Sequence, residues 1–198
     1  NAQPLESRYK LGQIAVAHNG NLTNAKIIRE LLEDAGSTFN TSIDSEVIIK
    51  MIARKANGNV EDAIRSTVGA IKGAYALVIL AGNKLVGVRD PYGIRPLCLG
   101  INENGDYILA SESCAIDAVG GTLIRDVLPG EMVIIDENGV KSVKYSENNK
   151  KAPCSFEHIY FARPDSVIDG LNVYESRVEA GRLLAKQMKV DADVVIGV

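Results

Sequence analysis

The sequence is short of cysteine, histidine and net positive charge, and each shortage removes a class of function. Its 198 residues hold three cysteines, Cys98, Cys114 and Cys154, too few and too scattered for a disulfide framework. A reduced, cytoplasmic setting is expected instead. There is no CxxC pair and no His/Cys cluster of metal-ligand spacing, and the two histidines, His18 and His158, lie far apart. The formal net charge of -3 does not supply the basic surface that displaces counterions, so no nucleic-acid partner is expected. No apolar run approaches the roughly 20 residues that cross a bilayer, so no membrane partner is expected either. The opening NAQPLESRYK is polar and has no signal-peptide pattern. Asn1 is not a translation start, so further residues are expected before it.

What is present suffices for a core. Hydrophobic residues make up 46% of the chain, enough for one domain and the start of a second. QIAVAHNGNL begins as an apolar strand and ends at Asn-Gly, a turn signal. NAKIIRELLEDAG then carries Ile27, Ile28, Leu31 and Leu32 at helical spacing, with Gly36 as a stop. A second helix is expected in DSEVIIKMIARKA, with Ser42 and Asp44 at capping positions. A third is expected in VEDAIRSTVGAIKG, capped by Asn59 and ending at Gly73. The texture then turns to short β-rich runs: AYALVILAG, KLVGVRD, PLCLGI and DYILASE. SCAIDAVGG suits a short helix, and GEMVIIDENGVKSVKYS suits a hairpin turning at ENG. Asn148 to Lys151 suit a polar surface loop, HIYFARPDS a strand running into a loop, YESRVEAGRLLAKQMKV a late helix, and DVVIGV a final apolar strand. There is no internal repeat and no low-complexity tract. Helices followed by strands imply α+β layering.

Two segments carry candidate chemistry. A strand stopping at His18-Asn19-Gly20 would bring the Asn19 amide and the Gly20 N–H near one point, where two donors can stabilise a developing oxyanion. Glycine admits the close backbone approach that a Cβ would block. The competing reading is an ordinary strand-to-helix turn. Asp44, at the start of a helix, can hold a ligand ammonium by a charged hydrogen bond. The competing reading there is a helix cap.

HNGNLTN, an amphipathic helix and then TSIDSEV together resemble the glutaminase domain shared by class II glutamine amidotransferases, which are N-terminal-nucleophile hydrolases. RDPYGIRPL (Arg89 to Leu97) and ASES (Ala110 to Ser113) extend the likeness over nearly the whole chain. YFARPDSVIDG (Tyr160 to Gly170) is more selective and is similar to the amidophosphoribosyltransferase branch of that family. The resemblance implies an αββα four-layer sandwich, truncated at its N-terminus. Residues 1–175 would form the glutaminase domain, lacking its first strands, and residues 176–198 would begin a phosphoribosyltransferase-like domain. Asn19 and Gly20 would form the oxyanion hole, and Asp44 would bind the α-amino group of glutamine. His18 would be structural. Arg89, Asp90, Gly93 and Arg95 would be mainly structural, with an Asp90–Arg95 pair holding the loop. Tyr160, Arg163 and Asp165 would lie near the junction with the second domain.

The resemblance also implies what this chain does not carry. The family's nucleophile is an amino-terminal cysteine whose own α-amino group takes the proton; position 1 here is Asn. The arginine that would hold the substrate carboxylate also belongs upstream. Cys98, Cys114 and Cys154 are internal and lack a free α-amine, so the chain alone is expected to be inactive. The whole protein would take glutamine and phosphoribosyl pyrophosphate, with Mg²⁺ in the second domain, and would form a homo-oligomer, a dimer or tetramer. Cys154 sits where some family members place one ligand of a 4Fe–4S cluster, and where cluster-free members also carry cysteine. Cys98 and Cys114 suit buried packing. Two rival readings stay open: a relative of glucosamine-6-phosphate synthase, and a noncatalytic binding or regulatory module with the same fold.

Overall fold

Strand alternation organises the molecule, a computed structural model that describes residues 2–148, 150–188 and 190–196. In the central sheet, β1 (Leu5–Tyr9), β2 (Gly12–Leu22), β3 (Gly73–Ala81), β4 (Lys84–Arg89), β8 (Glu131–Asp136) and β9 (Gly139–Lys144) pair in that order. Every neighbouring pair with a described register is antiparallel. Along β2, Ile14, Val16 and His18 are buried on one face. That face meets α1 (Ala25–Asp34), α2 (Asp44–Lys55) and α3 (Val60–Val68). Ile48, Ile52 and Ile64 from the helices pack with Leu77, Ile79 and Val86 from the strands in the larger core.

The opposite face of the central sheet carries Ala76 and Val133, which pack against Leu97, Leu99 and Val127. These belong to or flank a three-stranded sheet in the order β6 (Tyr107–Ala110), β5 (Cys98–Ile101), β7 (Thr122–Asp126). Gly87 permits the approach of the two sheets. A Cβ there would stand 2.9 Å from the Leu109 methyls and 3.4 Å from Leu97. The short helix α4 (Ser113–Ala118) packs on β5, β6 and β7, with Ile116 against the Gly100 backbone. The layer order is therefore αββα, as expected.

Several local expectations hold. The Asn59 side chain accepts from the Glu61 N–H and caps α3. The ENG segment turns the β8–β9 hairpin. The late helix is α5 (Val173–Gln187), which begins after the short β10 (Val167–Ile168) and β11 (Leu171–Asn172).

Others are corrected. Asn19-Gly20 does not end its strand; β2 runs on to Leu22 because β3 pairs with it through Leu22↔Gly73. The third helix stops at Val68, and four residues separate it from the start of β3 at Gly73. TLIRD forms β7, a strand whose sequence did not announce it. Glu157–Phe161 is a π-helical turn, not a strand. The Ala162 N–H reaches back five residues to the Glu157 carbonyl, and Arg95 holds the buried Glu157 carboxylate at 2.8 Å. Asp193 to Ile196 form no strand; Gly197 and Val198 of that expected strand lie outside the described residues. Asn149, in the expected polar loop, also lies outside them. These differences do not bear on the domain boundary expected after residue 175; residue 175 lies in the first turn of α5.

Candidate active site

The site forms where β2 outruns β1. Their pairing begins at Leu5↔Val16, so β2 continues for six residues beyond its neighbour. The Gln3 side chain substitutes for the missing strand at one point. Its Nε2 donates to the His18 carbonyl at 2.9 Å, and its Oε1 accepts the His18 N–H. Residues two apart on a strand aim their backbone groups to the same side. The His18, Gly20 and Leu22 N–H groups therefore all face this open edge. His18 is satisfied by Gln3, and Leu22 donates to Asp44 Oδ2 at 2.9 Å. The Gly20 N–H lies between them, and among the described residues no side chain accepts from it.

Gly20 has φ +148, in the region that favours glycine. A Cβ there would lie 2.0 Å from the Ala74 carbonyl oxygen and 2.9 Å from His18 Nε2. The His18 ring thus fills the space beside Gly20 and reaches Asp44 with its other nitrogen. Nδ1 is 3.0 Å from Ser45 Oγ and 3.6 Å from Asp44 Oδ1. Burial pushes the His18 pKa down, and the Asp44 carboxylate opposes that shift only in part. At neutral pH the imidazole is therefore neutral, and among the described residues its buried Nε2 has no hydrogen-bond partner.

Asp44 is the first residue of α2, but its side chain does not cap the helix; Ile43 stands at the cap position. The carboxylate instead crosses to the β2 edge, and its charge suits the positive helix N-terminus. It also borders a cavity of about 960 Å³ lined by Asn21, Lys26, Arg29 and Asn40 among others. Asn19 and Gly20 do not line that cavity. The structure thus brings Gly20 and Asp44 to one edge. Asn19, one residue out of phase with Gly20, points to the other face. There its Nδ2 donates to Ser111 Oγ at 3.3 Å.

The RDPYGIRPL segment is a buried strut. Arg89 is 1% exposed. It donates to the carbonyls of Gly93, Arg95 and Val127 and makes a two-pronged contact with Asp169, both prongs 2.8 Å. The expected Asp90–Arg95 ion pair does not form. Asp90 accepts the backbone N–H groups of Tyr92, Ile94 and Arg95, and the Arg95 guanidinium goes to Glu157. Tyr160 is exposed, and Arg163 pairs with Asp165 at the surface.

The cysteines divide. Burial pushes the Cys98 thiol up to about 12, which makes it a packing group. Cys114 is buried and Cys154 half-buried, and all three are free. Among the described residues no group of three or more His, Cys, Asp or Glu side chains is placed to hold a metal ion.

Gln3, Ser111, Glu112 and Asp169 were not singled out from sequence. Ser111 and Glu112 lie in the ASES run, which marked their neighbourhood without giving them a role. Asp169 lies in the YFARPDSVIDG run, which likewise marked its neighbourhood without giving it a role, and nothing local signalled Gln3.

Comparison with known proteins bears on the same segments. A family profile described as "Glutamine amidotransferase domain" matches residues 1–118. The chain is 46% identical to amidophosphoribosyltransferase of Bacillus subtilis, over all of this chain and 42% of that protein. It is 46% identical to the chloroplastic amidophosphoribosyltransferase 1 of Arabidopsis thaliana, over all of this chain and 35% of that protein. The solved B. subtilis glutamine phosphoribosylpyrophosphate amidotransferase, complexed with ADP and GMP, superposes with a TM-score of 0.93 at 45% identity. That match covers 98% of this chain and 42% of the other. The chain thus spans about two fifths of the length of the B. subtilis relative.

Proposed function

This chain belongs to the glutamine amidotransferase domain family, and from that premise we propose that it is the glutamine-handling part of an amidophosphoribosyltransferase. The observation that carries the reading is the Gly20 N–H, left open between Gln3 and Asp44 on the overhanging edge of β2. In this proposal residues 1–175 form the glutaminase domain, and residues 176–198 lead into a phosphoribosyltransferase domain.

Asp44 holds the α-ammonium of glutamine. In this reading the carboxamide oxygen lies at the β2 edge, where the in-plane Gly20 N–H and the Asn19 amide, coming from the face opposite His18, both take it as it gains charge. The nucleophile is a cysteine supplied from upstream of this chain. Its thiolate forms a C–S bond to the amide carbon while the carbonyl π electrons move to oxygen. Collapse of the adduct breaks the C–N bond, and the leaving nitrogen takes a proton from the α-amino group and departs as ammonia. Water then cleaves the thioester to glutamate. Ammonia displaces pyrophosphate from phosphoribosyl pyrophosphate, forming the C1–N bond of 5-phosphoribosylamine, the first committed product of purine synthesis.

Mg²⁺ accompanies phosphoribosyl pyrophosphate in the second domain under this reading. The described residues offer Cys154 no companion ligands for a 4Fe–4S cluster, and no step here depends on one. A dimeric or tetrameric assembly in the cytoplasm is part of the same proposal. No helix among the described residues is long and apolar enough to cross a membrane.

Steady-state kinetics of the full-length protein test the reading. Asp44→Asn is expected to raise the glutamine KM at least tenfold, because a charged hydrogen bond to the ammonium is lost. Asn19→Ala is expected to lower kcat on the order of a hundredfold, the effect of removing one oxyanion donor. Unchanged KM in the first and unchanged kcat in the second would overturn the assignment. Robust glutaminase turnover by residues 1–198 alone would overturn the upstream placement of the nucleophile.

A further inference from the structure

An oxyanion donor is useful only if it is held in place before charge develops. The Gly20 N–H meets that condition through the sheet. Asn19 does not do so by itself, because its side chain is exposed at the surface of β2 and its amide can rotate. Among the described residues, the one hydrogen bond its side chain makes is Nδ2 to Ser111 Oγ, at 3.3 Å across 92 positions of sequence. A carboxamide has two N–H groups. Ser111 occupies one and leaves the second free to aim at a substrate oxygen.

Ser111 is itself anchored. It follows Ala110, which pairs with Cys98 in the second sheet. On its other side, Glu112 Oε2 accepts the Arg163 N–H at 2.8 Å and the Ser166 hydroxyl at 2.7 Å. Ser113 Oγ accepts the Val167 N–H at 2.8 Å. Ser113 and Ser166 are both buried. Three consecutive side chains therefore join the Asn19 amide to residues 163–167.

We infer that Ser111 is a positioning residue for the Asn19 amide, and that Glu112 and Ser113 fix its place by tying it to the 163–167 segment. This rests on the reading of Asn19 as an oxyanion donor. The hydroxyl acts through Asn19 and does not touch substrate, so its loss changes rate more than affinity.

The test is a double-mutant cycle in the full-length protein, read as glutaminase kcat and glutamine KM. Ser111→Ala is expected to lower kcat about tenfold, less than deleting the donor, because the amide is left misaimed and not removed. KM is expected to stay within about twofold, and the thermal melting midpoint should not move. Ser111→Thr, which keeps the hydroxyl, is expected to restore most of the rate. In an Asn19→Ala background, Ser111→Ala should cost nothing further, since there is no amide left to aim. Wild-type kcat in Ser111→Ala would overturn the inference. So would losses that simply add in the double variant, which would mark a general structural effect. If Asn19→Ala alone keeps full rate, the oxyanion assignment fails, and the failure is then of that premise and not of the Ser111 contact.

Discussion

Replacing Arg89 should cost more stability than any change to its acidic partner, and the structure indicates by how much. Its guanidinium satisfies three backbone carbonyls, those of Gly93, Arg95 and Val127, besides Asp169. A hydrogen bond from a charged donor contributes roughly 1.5–3 kcal/mol. Three would sum to about 5–9 kcal/mol, but relaxation and water entry reduce that. Removing one partner of a buried ion pair costs about 3–5 kcal/mol. Arg89→Met should therefore lose about 4–5 kcal/mol by these scales. Arg89→Lys keeps the charge, but a point-like ammonium cannot span the fork, so about 2–3 kcal/mol should be lost. Asp169→Asn should cost less, about 2 kcal/mol: it leaves the buried guanidinium without its carboxylate, but three carbonyls and the Asn oxygen still accept from it. Its removal also relieves Asp126, whose carboxyl is raised by burial first and by the Asp169 charge second. Urea unfolding of the full-length protein, followed by intrinsic tyrosine fluorescence at matched slopes, measures the order. If Arg89→Lys matches wild type, or if Asp169→Asn costs more than Arg89→Met, the carbonyl cradle is not what the arginine is there to satisfy.

Two further outcomes follow from the site. Gly20→Ala places a Cβ 2.0 Å from the Ala74 carbonyl in a strained backbone region, so it should destabilise by about 3 kcal/mol or more; a thermal melt within a degree or two of wild type would refute that. His18 titrates below its ordinary value in the fold, so between that lowered pKa and about 6.5 the unfolded chain binds more protons. Its contribution is full above about pH 6.5 and declines as the pH falls toward the folded pKa. Urea midpoints at pH 7.5 and 5.5 should fall further apart in wild type than in His18→Asn; equal differences would remove His18 as the cause.

Periodicity carried much of the fold. The apolar spacing of Ile28 and Leu32 turned toward the core, although Ile27 and Leu31, on the same expected stripe, remain exposed. The helix beginning at Asp44, the Asn59 cap and the ENG hairpin were all readable from local chemistry. The failures have physical causes. Asn-Gly reads as a turn because the pair tolerates left-handed backbone, yet β3 holds Gly20 in a strand. HIYF has strand-like residues, but the Arg95–Glu157 pair and the Cys154 carbonyl, which accepts the Glu157 N–H, wind it into a helical turn. Asp44 sits where a cap belongs, yet its carboxylate finds the Leu22 N–H across the layer.

Local sequence thus determined most of the helical and extended segments and which residue types could serve glutamine chemistry, because propensity and side-chain chemistry act over a few residues. Tertiary structure alone decided the partners: Asp169 for Arg89 across 80 positions, Ser111 for Asn19 across 92, and Gln3 for the overhanging edge of β2. A donor's chemistry states what it can bind, but only the packing of the layers sets which acceptor stands within reach.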